Sequence, residues 1–199
     1  MPAYTDVQIC SMASLLVGGH SFAAFSERPE GEICESIYEM VKKAILSTHN
    51  WHFARNKVQL SQSVDSPSNQ WTYQYVLPSD RLENGMIKVF RTDTPMAPEF
   101  KDWEIVGNYL MTDADEIHVE YLVDVDESVM PTWFVQLLVR AIMAEIVLPI
   151  KRSAEERKLL QDEVYGEGGI LERCRRADTR NNPNPVMQDF PIHDARFTN

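Results

Sequence analysis

The chain has 199 residues and a formal net charge of −11, from 30 acidic and 19 basic side chains. This balance argues against binding nucleic acid by phosphate neutralisation, which requires a basic face. The three cysteines are far apart and form no C-x-x-C pair, so neither a disulfide framework nor a zinc knuckle is indicated. The acidity suits a surface that DNA slides past, although solubility alone explains it more simply.

The N-terminal sequence predicts an amphipathic helix over residues 5–17. Thr5 or Asp6 caps its start, and Gly18 and Gly19 end it. We expect no signal peptide before it and synthesis in a reducing cytoplasm, because no basic segment precedes an apolar one. The positions of its predicted apolar stripe are Ile9, Cys10, Ala13, Leu16 and Val17.

A second amphipathic helix is predicted over residues 32–50. Lys42 belongs to its charged, solvent-facing side, together with the glutamates between the apolar positions. Trp51 and Phe53 follow as an apolar corner, after which the pattern changes to the two-residue period of a strand. The predicted apolar stripe comprises Ile33, Ile37, Met40, Val41, Ala44, Ile45 and Thr48.

Residues 56–125 are predicted to be rich in β-structure. Short runs of alternating apolar and polar residues are separated by prolines and turn residues, which is typical of an antiparallel sheet with one packed face. Gly107-Asn108 predicts a tight hairpin between two of the strands. We expect one sheet of about five strands, with segments near Val58–Leu60, Trp71–Leu77, Met86–Phe90, Trp103–Met111 and Ile117–Val123.

Two further helices are predicted, over residues 131–148 and 153–177. The first is apolar nearly all round, and its Gln136, Arg140 and Glu145 argue against a membrane span. A helix of this kind is buried in the core or in a subunit interface; for the interface the candidates are Trp133, Phe134 and Leu137. Pro149 is expected to end it. Ser153 and Glu156 form a capping box for the last helix, whose middle is weakened by Gly166, Gly168 and Gly169.

Residues 178–199 are predicted to form an extended arm, because asparagines and prolines at 181–185 oppose a helix. Apolar residues are spaced along the rest of this segment, as in segments that become ordered on a partner. A frayed terminus is the alternative. The candidate contact residues of the arm are Phe190, Ile192, Arg196 and Phe197.

No motif of catalysis or cofactor binding is found. The chain has no P-loop, no G-x-S-x-G, no G-x-G-x-x-G and no H-E-x-x-H. His49 and His52 are too few for a zinc site by themselves. Asp113, Asp115 and Glu116 form an acidic cluster that is more easily explained as hydrated loop carboxylates than as a metal site. We therefore predict no catalytic residue, no cofactor and no metal; a metal-dependent hydrolase using residues 113–126 is the rival reading.

The order of several short motifs resembles the head–tail adaptors of tailed bacteriophages, in particular the tail tubular protein A group of short-tailed phages. Each motif is weak alone, and their order along nearly the whole chain carries the resemblance. The turn at Val17–His20 departs from the Ile-Gly-x-x-Pro turn of many members. The matching stretches are Thr48–Ala54, Tyr75–Asp80, Trp103–Asp113, Val119–Val125, Met130–Phe134, Leu148–Ile150 and His193–Arg196.

The resemblance implies a structural protein of the virion neck that is not an enzyme. Members form a dodecameric ring between the portal protein and the tail nozzle or tube, and DNA passes through the ring without sequence-specific binding. The C-terminal arm would contact the portal, and the cluster of Asp113, Asp115 and Glu116 would line an acidic lumen. No membrane is involved. The alternative is a tail-completion or tail-tube protein elsewhere in the particle.

Together these patterns predict an α+β protein. A bundle of about four helices would carry an inserted antiparallel sheet and an extended C-terminal arm. We expect residues 1–177 to form one adaptor domain and residues 178–199 to form the arm.

Overall fold

The computed structural model describes residues 4–180 apart from residues 66, 68, 84, 86, 95 and 96. Within these residues the chain forms five α-helices, six strands and short 3₁₀ turns. The helices lie at the two ends of the sequence, and the strands lie between them. The predicted α+β class is confirmed, whereas the predicted arm beyond residue 180 lies outside the described residues.

Helix α1 (Asp6–Val17) begins and ends where its capping residues predict. Thr5 accepts a hydrogen bond from the backbone N–H of Gln8, and the side chain of Gln8 accepts one from the backbone of Thr5. Gly18 closes the helix with φ = 91°, a left-handed conformation that glycine adopts without strain. The predicted stripe is buried except for Leu16, which is exposed.

Helix α2 (Pro29–Leu46) begins earlier and ends earlier than predicted. Pro29 and Gly31 precede the predicted start at residue 32, but proline suits the first helical turn, where its missing N–H costs nothing. Gly31 is required there, because a Cβ atom would lie 2.3 Å from the carbonyl oxygen of Phe25. The stripe is also rotated from the prediction: Met40 is exposed, and Lys42 is buried.

The strands form two three-stranded antiparallel sheets instead of the single sheet expected. The first sheet has the order β1-β6-β3, and the second has the order β2-β5-β4. The sheets share an apolar cluster that includes Tyr75, Leu110, Ile117 and Val119, so each buries one face against the other. The strands are β1 (Arg55–Gln59), β2 (Tyr73–Val76), β3 (Ile87–Phe90), β4 (Trp103–Val106), β5 (Tyr109–Thr112) and β6 (His118–Leu122).

Helix α3 (Thr132–Lys151) is the centre of the helical part and packs against α1 and α2. It continues past Pro149, which falls in the last turn, and ends at Arg152 in a left-handed conformation with φ = 56°. Of the helices described, α3 is the one long and apolar enough to cross a membrane, but 61% of that apolar window is buried in the protein. Its apolar surface is therefore largely used as core.

The predicted last helix is divided into α4 (Ala154–Tyr165) and α5 (Ile170–Arg180). The division falls at the glycines, because Gly168 has φ = 70° and a Cβ atom on Gly169 would lie 2.8 Å from the carbonyl oxygen of Gly166. These glycines form a turn instead of weakening a helix. Helix α5 also extends to Arg180, whereas the arm was predicted from Asp178.

Candidate docking groove

An apolar groove lies on the outer surface of the helical part, between α1 and α5. Its volume is about 840 Å³. Helix α3 contributes the floor through residues between Thr132 and Arg140, and α1 and α5 contribute the two walls. The apolar side chains of the groove include Tyr4, Met12, Leu15, Leu16, Trp133, Val139 and Ile170.

The wall formed by α1 exposes two adjacent leucines. Leu15 is 52% exposed and Leu16 is 57% exposed, although the opposite face of the helix is fully buried against α2 and α3. Single exposed leucines are common on soluble proteins and need no explanation. A pair of leucines on the wall of an apolar groove is different, because a partner that fills the groove would cover both side chains.

The wall formed by α5 is held in place by contacts at its C-terminal end. The Cys174 thiol donates a hydrogen bond to the carbonyl oxygen of Trp133, at 3.4 Å. Arg175 donates to the carbonyl oxygen of Thr48, at 2.9 Å. Asp178, which is 1% exposed, accepts from the backbone N–H of His52 at 3.1 Å. Helix α5 is therefore tied both to α3 and to the segment between α2 and β1.

The corner after α2 is a cluster of aromatic rings that supports the end of the groove. Trp51 is fully buried, and its ring centre lies 5.3 Å from that of Phe134 and 5.7 Å from that of Trp133. The indole N–H of Trp51 donates to the carbonyl oxygen of Ile45, at 3.1 Å. Because one face of Trp133 belongs to this cluster and the residue also lines the groove, the corner fixes the position of the groove floor.

The two histidines of the corner converge on Asp178. His52 Nδ1 lies 2.7 Å from Asp178 Oδ2, and His49 Nε2 lies 3.4 Å from the same oxygen. Burial lowers the pKa of His49 below its usual value, and this outweighs the opposing attraction of Asp178. Arg175 lowers the His49 pKa further. The arrangement is a structural joint, in which a buried carboxylate is satisfied by hydrogen bonds.

A second buried polar network connects α2 to the segment before α3, and no local sequence pattern indicates it. The Lys42 ammonium lies 3.0 Å from both Asp124 and Glu127, and Tyr38 donates to Glu127 at 2.9 Å. Burial acts to lower the pKa of Lys42, but the hydrogen bonds to Glu127 and Asp124 raise it overall. Burial raises the pKa of Tyr38 well above its usual value. Lys42 resembles a surface lysine in the sequence because its partners are about eighty residues away.

The groove is polar at one end. Arg140 and Glu163 line it and lie 3.9 Å apart, and Arg173 lies on the α5 wall. Within the described part of the chain, Arg173 has no carboxylate within ion-pair distance. The groove therefore presents an apolar floor beside a guanidinium group that is available to an acidic partner.

The predicted interface residues of α3 have different positions. Trp133 is half-buried and lines the groove, whereas Phe134 and Leu137 are each 0% exposed. Phe134 and Leu137 are core residues with no surface to offer a neighbouring subunit. The surface that could contact a neighbour is formed by residues that the sequence analysis did not name as an interface, among them Leu15, Leu16 and Ile170.

The predicted acidic cluster lies on the loop between β5 and β6, far along the chain from the groove. Asp113, Asp115 and Glu116 are all exposed. Asp113 accepts hydrogen bonds from the backbone N–H and the hydroxyl of Thr72, at 2.8 and 2.7 Å. Glu116 lies 3.2 Å from His118. In the described ranges, no group of three or more His, Cys, Asp or Glu side chains is arranged to hold a metal ion.

The predicted contact residues of the arm, Phe190, Ile192, Arg196 and Phe197, lie outside the described residues. Their starting point is nevertheless defined, because α5 ends at Arg180 and Ala177 lines the groove. No protein-family model matches the chain, and a search of curated proteins finds no match.

Proposed function

We propose that the chain is a head–tail adaptor of a tailed bacteriophage, a structural subunit of a ring between the portal and the tail nozzle or tube. The observation that carries the proposal is the apolar groove formed by α1, α3 and α5, which nothing within residues 4–180 covers. Exposed apolar surface rimmed by polar residues is typical of sites that bind another molecule, protein partners among them. A ring subunit needs such a surface, because each copy must bury part of itself against a neighbour.

The motifs behind the adaptor resemblance support the proposal through their positions. Residues 48–54 form the aromatic corner under the groove. Asp80, from the second motif, accepts a hydrogen bond from Tyr121 at 3.0 Å and so connects the loop after β2 to β6. Met130–Phe134 brings the chain from the sheets into α3. These motifs therefore lie where one element of the fold is connected to the next, and residues at such positions help to set how the elements are arranged.

In the proposed ring, the exposed acidic cluster at residues 113–116 faces the channel. Carboxylates repel the phosphates of the passing duplex and reduce its adhesion to the wall. The arm contacts the portal, and DNA is not read by sequence.

The test is to mix the purified full-length chain with portal oligomers of the same phage and to image the mixture by electron microscopy. We expect a ring of adaptor density on one face of the portal, with a central hole continuous with the portal channel. A chain that leaves the portal bare even when it is in large molar excess would contradict the proposal. Binding to tail tubes instead of portals would favour the tail-completion alternative.

A further inference from the structure

The apolar groove between α1 and α5 lacks an occupant within residues 4–180. Leu15 and Leu16 stand on one wall, Ile170 and Ala177 on the other, and Trp133 is on the floor. A groove of this composition can bind an apolar segment of protein, because the regularly spaced side chains of such a segment contact a long, narrow surface. The question is which segment fits its length, its charge and its location.

Residues 181–199 have the composition that the groove requires. The polar run at 181–185 is followed by Val186, Met187, Phe190 and Ile192, with Asp189 among them. The groove floor from Thr132 to Arg140 is about 12 Å long at the rise of an α-helix. About four residues of extended chain cover that distance, so part of the segment 186–192 is sufficient to fill the groove.

Charge supports the same match. Arg173 lies on the α5 wall and, in the described part of the chain, has no carboxylate within ion-pair distance. In the same part of the chain Arg140 has one acidic neighbour, Glu163, and the 3.9 Å between them is long for an ion pair. Asp189 directly precedes Phe190. With Phe190 in the groove, Asp189 is placed to form a charge-assisted hydrogen bond with a guanidinium group on the wall.

A second copy of the chain is the occupant that the proposed ring requires. Helix α5 ends at Arg180, and Asp178 holds its last turn at the histidine corner through hydrogen bonds from His52. In a ring each copy must bury part of its surface against a neighbour. A segment that follows Arg180 and binds in a neighbour's groove makes that contact.

We propose that the groove of each subunit binds residues 186–192 of a second copy of the chain. The contact rests on the proposed ring and names its interface: each copy gives one segment and receives one, so the interface is heterologous and can close into a ring. Phe190 and Ile192 are then bound to a neighbouring subunit, and Arg196 and Phe197 remain for the portal.

The test uses three full-length variants. Leu16→Glu places a charge in the groove, the double variant Phe190→Ser with Ile192→Ser removes the apolar side chains of the segment, and Leu159→Glu is the matched control. Leu159 is 69% exposed on α4 and does not line the groove, so the control makes the same substitution at a similarly exposed leucine. Circular dichroism checks that each variant is folded, and sedimentation velocity measures self-association over a range of concentrations.

We expect the wild-type chain and Leu159→Glu to self-associate equally. Leu16→Glu and the double segment variant should each self-associate at least about tenfold more weakly, since each removes a buried apolar contact. A mixture of the two weakened variants should form a 1:1 dimer and no larger species, because only one pairing of an intact groove with an intact segment remains. This result requires exchange between molecules, since neither variant can supply both halves of the contact.

Three results would overturn the inference. They are a wild-type chain that remains monomeric at millimolar concentration, a Leu16→Glu variant that assembles like Leu159→Glu, and a mixture that stays monomeric while the wild type assembles. The first leaves the proposed adaptor function to the portal-binding experiment, where a portal can act as the template. In the second and third results, rings can still form through another surface, so a failure of this interface is distinguishable from a failure of the proposed function.

Discussion

Asp178 is a buried carboxylate whose hydrogen-bond partners come from a segment far away in the sequence. It accepts from the backbone N–H and the ring of His52, and α5 is held to the corner by these bonds. The sequence did not single it out: an aspartate at the predicted start of a polar arm gives no sign of burial. His49 and His52 beside Trp51 are too few for a zinc site by themselves, and in the fold both lie against Asp178.

Replacing Asp178 with alanine should destabilise the fold by about 1–3 kcal/mol, because it leaves the part-buried donors of His52 without their acceptor. The measurement is urea denaturation at pH 7, followed by tryptophan fluorescence. Asp162→Ala on the exposed face of α4 is the control and should change stability by less than about 0.5 kcal/mol. If both substitutions changed the free energy of unfolding equally, the hydrogen bonds to Asp178 would not be a special source of stability.

His49 should make the fold sensitive to mild acid. Its folded-state pKa is lowered, chiefly by burial, so the unfolded chain binds a proton more readily near the ordinary pKa of about 6.5. The stabilisation is therefore present above that pH and is lost as the pH falls through the lower, folded pKa. Urea midpoints measured from pH 7.5 to pH 5 should fall less in His49→Gln than in the wild type. A steeper fall in the variant would contradict this assignment.

At the scale of elements, the glycine turn between α4 and α5 decides where the second wall of the groove begins. Gly168 has φ = 70°, and no atom lies within 4 Å of the place where a Cβ atom would be. A side chain at this position would therefore meet no steric clash, and its free-energy cost would come from the left-handed backbone conformation alone. The same turn lets the Gly168 N–H donate to Glu172, at 2.8 Å. Without it, α4 would continue in its own direction and α5 could not pack beside α3.

Gly168→Ala should destabilise the protein by about 1–2 kcal/mol, the cost of a left-handed conformation for a residue with a Cβ atom. The neighbouring exposed substitution Glu167→Ala is the control and should have little effect. Thermal unfolding followed by circular dichroism measures both. An alanine variant that gained helical signal without losing stability would indicate that the two helices merge at no cost.

Much of the fold follows from local sequence, and the exceptions have physical causes. The caps of α1, the hairpin at Gly107-Asn108 and the apolar character of α3 are local features and were predicted. The pairing of strands into two sheets depends on β6 lying between β1 and β3, a long-range choice with no local signature. The burial of Lys42 similarly depends on Asp124 and Glu127, which only the tertiary fold brings to it.

The candidate groove could be predicted only in part. Trp133 was singled out from the apolar excess of α3, and it does line the groove. Leu16 was assigned to the buried stripe of α1 because its spacing fits, yet it points into the groove. Periodicity identifies which face of a helix is apolar but not how much of that face its neighbours cover. The groove exists because α5 covers part of α3 and leaves the adjoining side of α1 uncovered.

At the scale of the whole molecule, the proposed ring makes the acidic loop before β6 part of a channel wall. Replacing Asp113, Asp115 and Glu116 by Asn, Asn and Gln should slow genome ejection, because the wall would repel phosphates less. Ejection from purified virions can be followed by the fluorescence of a DNA-binding dye. The Asn at position 113 keeps an oxygen for the bonds from Thr72, so the loop itself should be preserved.

The control for that experiment is a second triple variant with the same change of net charge. Glu155, Asp162 and Glu167 are exposed on α4 and on the turn that follows it, and their amide counterparts should leave the ejection rate unchanged. Equal slowing by both triple variants would attribute the effect to overall charge. Unchanged ejection in the Asp113 variant would show that this loop is not part of the channel wall.

The anchoring of α5 at its last turn also has a mechanical consequence. A pull on residues 181–199 reaches α5 at Arg180 and passes directly into Asp178, Arg175 and the aromatic corner. The load is therefore shared by several bonds to α2 and α3 instead of peeling α5 away one turn at a time. A subunit held by its C-terminal segment would transmit force into the buried aromatic corner while keeping its tertiary structure.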